Sequence, residues 1–103
     1  MDDPGTEPMA ELAGDLLIRD IALHSGDGAR PVRGDLAVAG GRILAVGPGL
    51  SGRFAETVEG AGRALAPGFI DVHTHDDAAA LVPGAMRPKL SQGVTCVVSG
   101  NCG

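Results

Sequence analysis

The chain has 103 residues, with 8 Lys+Arg against 13 Asp+Glu and only two aromatic side chains, Phe54 and Phe69. A net charge of −5 with no basic cluster excludes a protein that binds nucleic acid by neutralising phosphates. No apolar run reaches the roughly 18 residues of a membrane span, and the length suits one small domain or a piece of a larger protein.

Five of the acids fall in residues 1–15 with no base among them, so residues 1–14 are expected to be a solvated, poorly ordered leader. The start, Met1-Asp2-Asp3-Pro4-Gly5, is acidic where a signal peptide carries positive charge and then an apolar stretch, which makes the cytoplasm the expected compartment. In that setting the two cysteines read as free thiols or metal ligands rather than a disulfide framework.

Leu16 to Leu23 is an apolar-rich run closed by Ser25-Gly26-Asp27-Gly28, the pattern of a strand and a turn. Residues 34–39 and 42–47 are two short apolar runs joined by Gly40-Gly41, which predicts a β-hairpin because its two-residue turn needs positive φ at both positions. Weaker strands are expected in 55–65, around Gly60 and Gly62. Residues 15–65 thus read as a small antiparallel β module.

The texture changes at Ala66-Pro67-Gly68. Phe69 to His75 predicts a strand whose even positions, Ile70, Val72 and Thr74, pack under helices while Asp71, His73 and His75 face the other way. A helical turn near Met86–Gln92, with Pro88 in its first turn and Gly93 as its stop, leads to a second strand at 94–99. Strand, helix and strand over about 30 residues make a βαβ unit with parallel strands. A strand with this polarity fits the wall of an α/β barrel near the end that carries its chemistry.

His73 and His75 are the sharpest feature. Two residues apart on a strand, their imidazoles project to one side and reach one metal ion at about 2 Å each; the plainer alternative is a polar pair satisfied by hydrogen bonds. Cys102 lies just past the second strand, beside the end of the first, where a thiolate suits a borderline-soft ion such as zinc; alone, it would equally be a thiol in a glycine-rich turn. Cys96 is six residues earlier, up to about 20 Å away along an extended strand, too far for a disulfide. Its mid-strand position assigns it to buried packing. His24, alone at a strand end, is structural. Asp71 is placed to orient an imidazole or to pair with a cation elsewhere, and Asp76 and Asp77 are placed in a loop where helix capping is the simple role.

Ala66-Pro67-Gly68-Phe69-Ile70-Asp71-Val72-His73-Thr74-His75 resembles the first barrel strand of the metal-dependent amidohydrolases. His73 to Asp77, Pro88 to Thr95 and Gly100-Asn101-Cys102-Gly103 together resemble the N-acyl-D-amino-acid deacylases (D-aminoacylases). The resemblance implies an α/β chain: the amino-terminal part of a small β-sandwich domain over 15–65, then the first βαβ unit of a TIM-like (β/α)8 barrel over 66–103. It also implies zinc-dependent hydrolysis of small-molecule N-acyl-D-amino acids, with His73, His75 and Cys102 as metal ligands and Cys102 able to bridge two metal positions. Two further histidines and a catalytic aspartate, acting as general base or acid on water and leaving amine, are implied beyond residue 103. The 103 residues alone are therefore expected to be inactive and prone to aggregate, with open strand edges.

The alternatives are another amidohydrolase, such as a dihydroorotase or hydantoinase-like cyclic amidase with a carboxylated lysine in place of the thiolate, and a small non-catalytic β module. Cys102→Ser in the complete gene product separates the two enzyme readings. Loss of most bound zinc is expected from elemental analysis, and unchanged zinc content would favour the cyclic amidase.

Overall fold

The computed structural model describes residues 11–100. Most of the acidic leader and the whole of 101–103, including Cys102, lie outside the described residues. Two compact units divide between Ala66 and Pro67.

In the first unit β1 (Leu12–Leu23), β2 (Val32–Ala39), β3 (Arg42–Gly47) and β4 (Gly52–Glu59) form a sheet in the order β3-β2-β1-β4. A two-residue strand, β5 (Ala64–Leu65), continues along the same edge of β1 as β4. β1 begins four residues ahead of the apolar run at Leu16, because Leu12, Ala13 and Gly14 pair with Gly52, Arg53 and Phe54. The β2–β3 hairpin forms as the Gly-Gly turn predicts: Gly40 and Gly41 have φ of 58° and 75°, and the Gly40 N–H donates to Asp15 Oδ2 at 2.7 Å.

The expectation of a purely antiparallel module is corrected. β1 is antiparallel to β2 but parallel to β4 and β5, so the sheet is mixed. The connection 24–31 lets β2 fold back antiparallel on one edge of β1, and the hairpin then returns the chain so that β4 runs along the other edge in the direction of β1. Both ladders break at the same place. β1 shifts register against β2 between Ile18 and Ile21, and on the other edge β4 ends opposite Arg19 while β5 starts opposite Ala22. There the N–H groups of Gly60 and Gly62 donate to the carbonyls of Arg19 and Asp20, each at 2.7 Å. Gly60 is required at this approach, since a Cβ would collide with the Ile21 side chain and the carbonyl oxygens of Arg19 and Asp20.

The core is small: Leu17, Ala37 and Leu50 are buried together, with Leu12, Ala45 and Phe54 packed against them. Beside it sits a buried carboxylate. Asp35, 7% exposed, accepts the Asp20 N–H on Oδ1 at 2.8 Å and the Leu50 N–H on Oδ2 at 3.0 Å. One side chain thereby satisfies a donor in the β1 kink and another in the turn between β3 and β4.

In the second unit β6 (Phe69–Asp71) pairs in parallel with β7 (Val94–Val97). A 3-10 turn at Ala79–Leu81 and a one-turn helix, α1 (Arg87–Leu90), lie between them. Pro88 sits in the first turn of α1, where its missing N–H costs nothing, and Gly93 has φ of 87° in the turn that leads to β7. The strand expected over Phe69–His75 is shorter than its apolar-polar alternation suggests. It ends at Asp71, and Thr74 alone of the three expected packing residues is buried, while Ile70 and Val72 are exposed. A four-residue helix is too short to cover that face. Cys96 is corrected for the same reason: it lies mid-strand as expected but is exposed rather than packed. Among the described residues no helix is long and apolar enough to cross a membrane.

Asp35→Ala should destabilise the first unit by about 1–3 kcal/mol, because a buried N–H donor, that of Leu50, and a part-buried one, that of Asp20, lose their acceptor. Urea unfolding followed by circular dichroism measures this, and the milder Asp35→Asn, which keeps an acceptor oxygen, should fall between it and the parent.

Candidate metal centre

β6 delivers its chain to a loop that carries both histidines. Val98 donates its N–H to the Asp71 carbonyl at 2.8 Å, and Thr74 donates its N–H to the Val98 carbonyl at 3.1 Å, so the backbone stays beside the end of β7 after β6 has stopped. Thr74 is only 3% exposed, and this inward residue leaves His73 and His75 on either side of it exposed. The two imidazoles come together, with ring centroids 5.2 Å apart and planes at 77°. The two rings are neighbours in a loop, not on the strand that the alternation predicts.

Five polar ties hold this loop. The Lys89 ammonium, on α1, lies 2.7 Å from Asp71 Oδ2 and 2.7 Å from Asp76 Oδ2. The second Asp71 oxygen accepts the His73 N–H at 3.3 Å, and the Asp76 N–H donates to Thr74 Oγ1 at 3.4 Å. Farther along, Asp77 Oδ2 accepts the Gly100 N–H at 2.9 Å. The last of these matters for position: a residue two past His75 is tied to a residue two before Cys102.

Asp71 thus takes the second of its expected roles, pairing with a cation, and touches the histidine pair only through the His73 backbone. Asp76 and Asp77 do not cap: the residue at the start of the 3-10 turn is Ala78, with no side-chain cap, and both carboxylates are engaged elsewhere. His24 follows β1 and donates its N–H to the Leu65 carbonyl at 2.8 Å. Cys102 lies outside the described residues, and among those residues no group of three or more His, Cys, Asp or Glu side chains converges on a metal position. Lys89 is the residue that sequence reasoning missed. It is the chain's sole lysine, a mark that names no partner.

The Asp71–Lys89–Asp76 set carries one net negative charge next to the histidines, an environment that favours a cation there. The hydrogen bond from Lys89 holds the Asp71 carboxyl below the usual carboxylate range, helped by the His73 N–H. The Lys89 ammonium is pushed above the usual lysine range by Asp71 first and then Asp76.

No family model matches the chain. It is 47% identical over all 103 residues to the N-acyl-D-aspartate deacylase of Alcaligenes xylosoxydans xylosoxydans, covering 21% of that protein. It is 51% identical over 90 residues to the D-aminoacylase of the same organism, covering 86% of the chain and 18% of the relative. Among solved structures, the N-acyl-D-glutamate deacylase of Bordetella bronchiseptica, complexed with zinc and a phosphonate inhibitor that mimics the tetrahedral intermediate, superposes with a TM-score of 0.82 at 41% identity, over 89% of this chain and 19% of that one. The chain spans about one fifth of the length of the relatives it matches.

The Asp71 side of the ion pair contributes stability above the usual carboxylate range and loses it as pH falls through the depressed Asp71 pKa. The Lys89 side contributes below the usual lysine range and loses it as pH rises through the raised Lys89 pKa. The pair therefore persists through neutral pH. A carbon-detected NMR titration should place the Asp71 midpoint below that of an ordinary aspartate, and Lys89→Met should move it upward; a midpoint indifferent to Lys89 would contradict the assignment.

Proposed function

We propose, for a chain that belongs to the D-aminoacylase family of the amidohydrolases, a part in the zinc-dependent hydrolysis of N-acyl-D-amino acids to a D-amino acid and a carboxylate. The observation that carries this reading is the match at 47% identity over the entire chain, which runs through both the His-x-His segment and Gly100-Asn101-Cys102-Gly103. Residues 15–65 are read as the amino-terminal part of a β-sandwich domain and 66–103 as the first strand–helix–strand of a (β/α)8 barrel. In support, β6 and β7 are parallel with a helical turn between them, and the histidines and the Gly100 loop all follow carboxyl ends of strands, where such barrels place their chemistry.

His73, His75 and Cys102 are the proposed zinc ligands. Two imidazoles and a thiolate are a donor set that suits this borderline-soft ion, and the neighbouring rings and adjacent negative charge fit it. When bound, zinc supplies a Lewis acid that lowers the pKa of a water molecule and polarises the scissile carbonyl. The chain's own work is positional. Thr74 and Asp77 fix the histidine loop against the end of β7, and Gly100 begins the segment that leads to Cys102. A cytoplasmic setting keeps the Cys102 thiol reduced.

The complete gene product, assayed with N-acetyl-D-aspartate, N-acetyl-D-glutamate and N-acetyl-D-leucine beside their L forms, should release only D-amino acids and should contain zinc. His73→Ala and His75→Ala should each lower metal content and turnover at least tenfold. Hydrolysis of the L series alone, or full metal content in both variants, would overturn the reading.

A further inference from the structure

We propose that Lys89 is a positioning residue for the histidine pair, and the inference rests on reading His73 and His75 as metal ligands. Asp71 and Asp76 are five residues apart and bracket the segment that carries both imidazoles. Their Oδ2 atoms each lie 2.7 Å from the same ammonium. One cation therefore closes residues 71–76 into a loop with both ends fixed.

Two features make this closure depend on Lys89. Brought together without a cation, the two carboxylates would repel each other and open the loop. The three side chains are also only 30%, 34% and 25% exposed for Lys89, Asp71 and Asp76, so solvent does not easily replace the ammonium. The cation is anchored from the other side of the crossover: α1 leads through Gly93 into β7, and Gly93 accepts the Phe69 N–H at 2.7 Å at the start of β6. The position of α1 relative to β6 is thus transmitted through Lys89 to the loop beyond β6. The other Asp71 oxygen carries the constraint to the His73 N–H. A metal ion needs both imidazoles at fixed positions at once, and an outer group that orients a ligand changes metal affinity without touching the metal.

The test uses the complete gene product, its zinc removed and replaced by cobalt(II), whose visible spectrum reports the ligand geometry. Lys89→Met should weaken metal binding at the histidine position by about 10–100-fold and alter the cobalt spectrum, with thermal unfolding showing that the variant is folded. Lys89→Arg, which keeps the charge, should recover part of the affinity. Wild-type affinity and spectrum in folded Lys89→Met would overturn the inference while leaving the ligand assignment intact. Unchanged metal binding in His73→Ala and His75→Ala would instead overturn the ligand assignment. Should Lys89→Met fail to fold, Asp76→Asn leaves the Asp71–Lys89 pair in place, and a smaller loss of affinity with a shifted spectrum is expected. An unaltered spectrum and affinity there would refute the positioning role.

Discussion

A strand that pairs along both edges must keep two registers at once, and in β1 this requirement is met by a single kink. The antiparallel ladder to β2 slips between Ile18 and Ile21, and the parallel ladder passes from β4 to β5 across the same residues. Asp20 adopts φ of 52° there, a conformation that side chains other than glycine take only when surrounding bonds enforce it. Those bonds are present: Asp35 receives the Asp20 N–H, Gly62 donates to its carbonyl, and Arg33 donates to its carboxylate. The same Asp35 holds Leu50, a member of the apolar cluster, through its second oxygen. A buried acid thus links the distortion of the longest strand to the placement of the core.

The second unit is held by other means. Phe69, Ile70, Val72, Leu81 and Leu90 are all exposed, so little of its order comes from burial of apolar surface. Its shape follows instead from the short parallel ladder, the backbone bonds between Thr74, Val98 and Asp71, and the pairing of Lys89 with two carboxylates. Close approach helps. Gly68 lies against the Thr95 side chain with no room for a Cβ, which lets the start of β6 sit against β7. A site built this way has its geometry set by directional contacts, which fix positions more sharply than apolar packing does.

How legible this was differs from element to element. Gly40-Gly41 announced its hairpin because only positive φ closes a two-residue turn of the right twist. The parallel run of β4 along β1 left no mark, since alternation along a strand is the same whichever way its neighbour runs. The end of β6 was overestimated because the alternation continues through His75 although the ladder does not. Cys96 was assigned to packing on its position in a strand, but exposure depends on what lies over the strand, which a local pattern does not encode. The spacing of His73 and His75 marked them as neighbours, and their rings lie beside each other in the loop that follows β6. The role of Lys89 was not, because an ion pair across 18 residues leaves no local periodicity.

The sharing of β1 also sets an order of events. The β2–β3 hairpin closes over a two-residue turn, whereas Leu12 must wait for Gly52, forty positions later, to acquire its parallel partner. Local contacts form before distant ones because the entropy of closing the longer loop must first be overcome. On a ribosome adding roughly 5–20 residues per second, the stretch from Pro48 to Leu65 takes on the order of one to four seconds to appear. Through that interval the longest strand of the unit presents an unpaired edge, the kind of surface to which other strands add. The nascent chain is open to misassociation there until β4 and β5 pair along that edge.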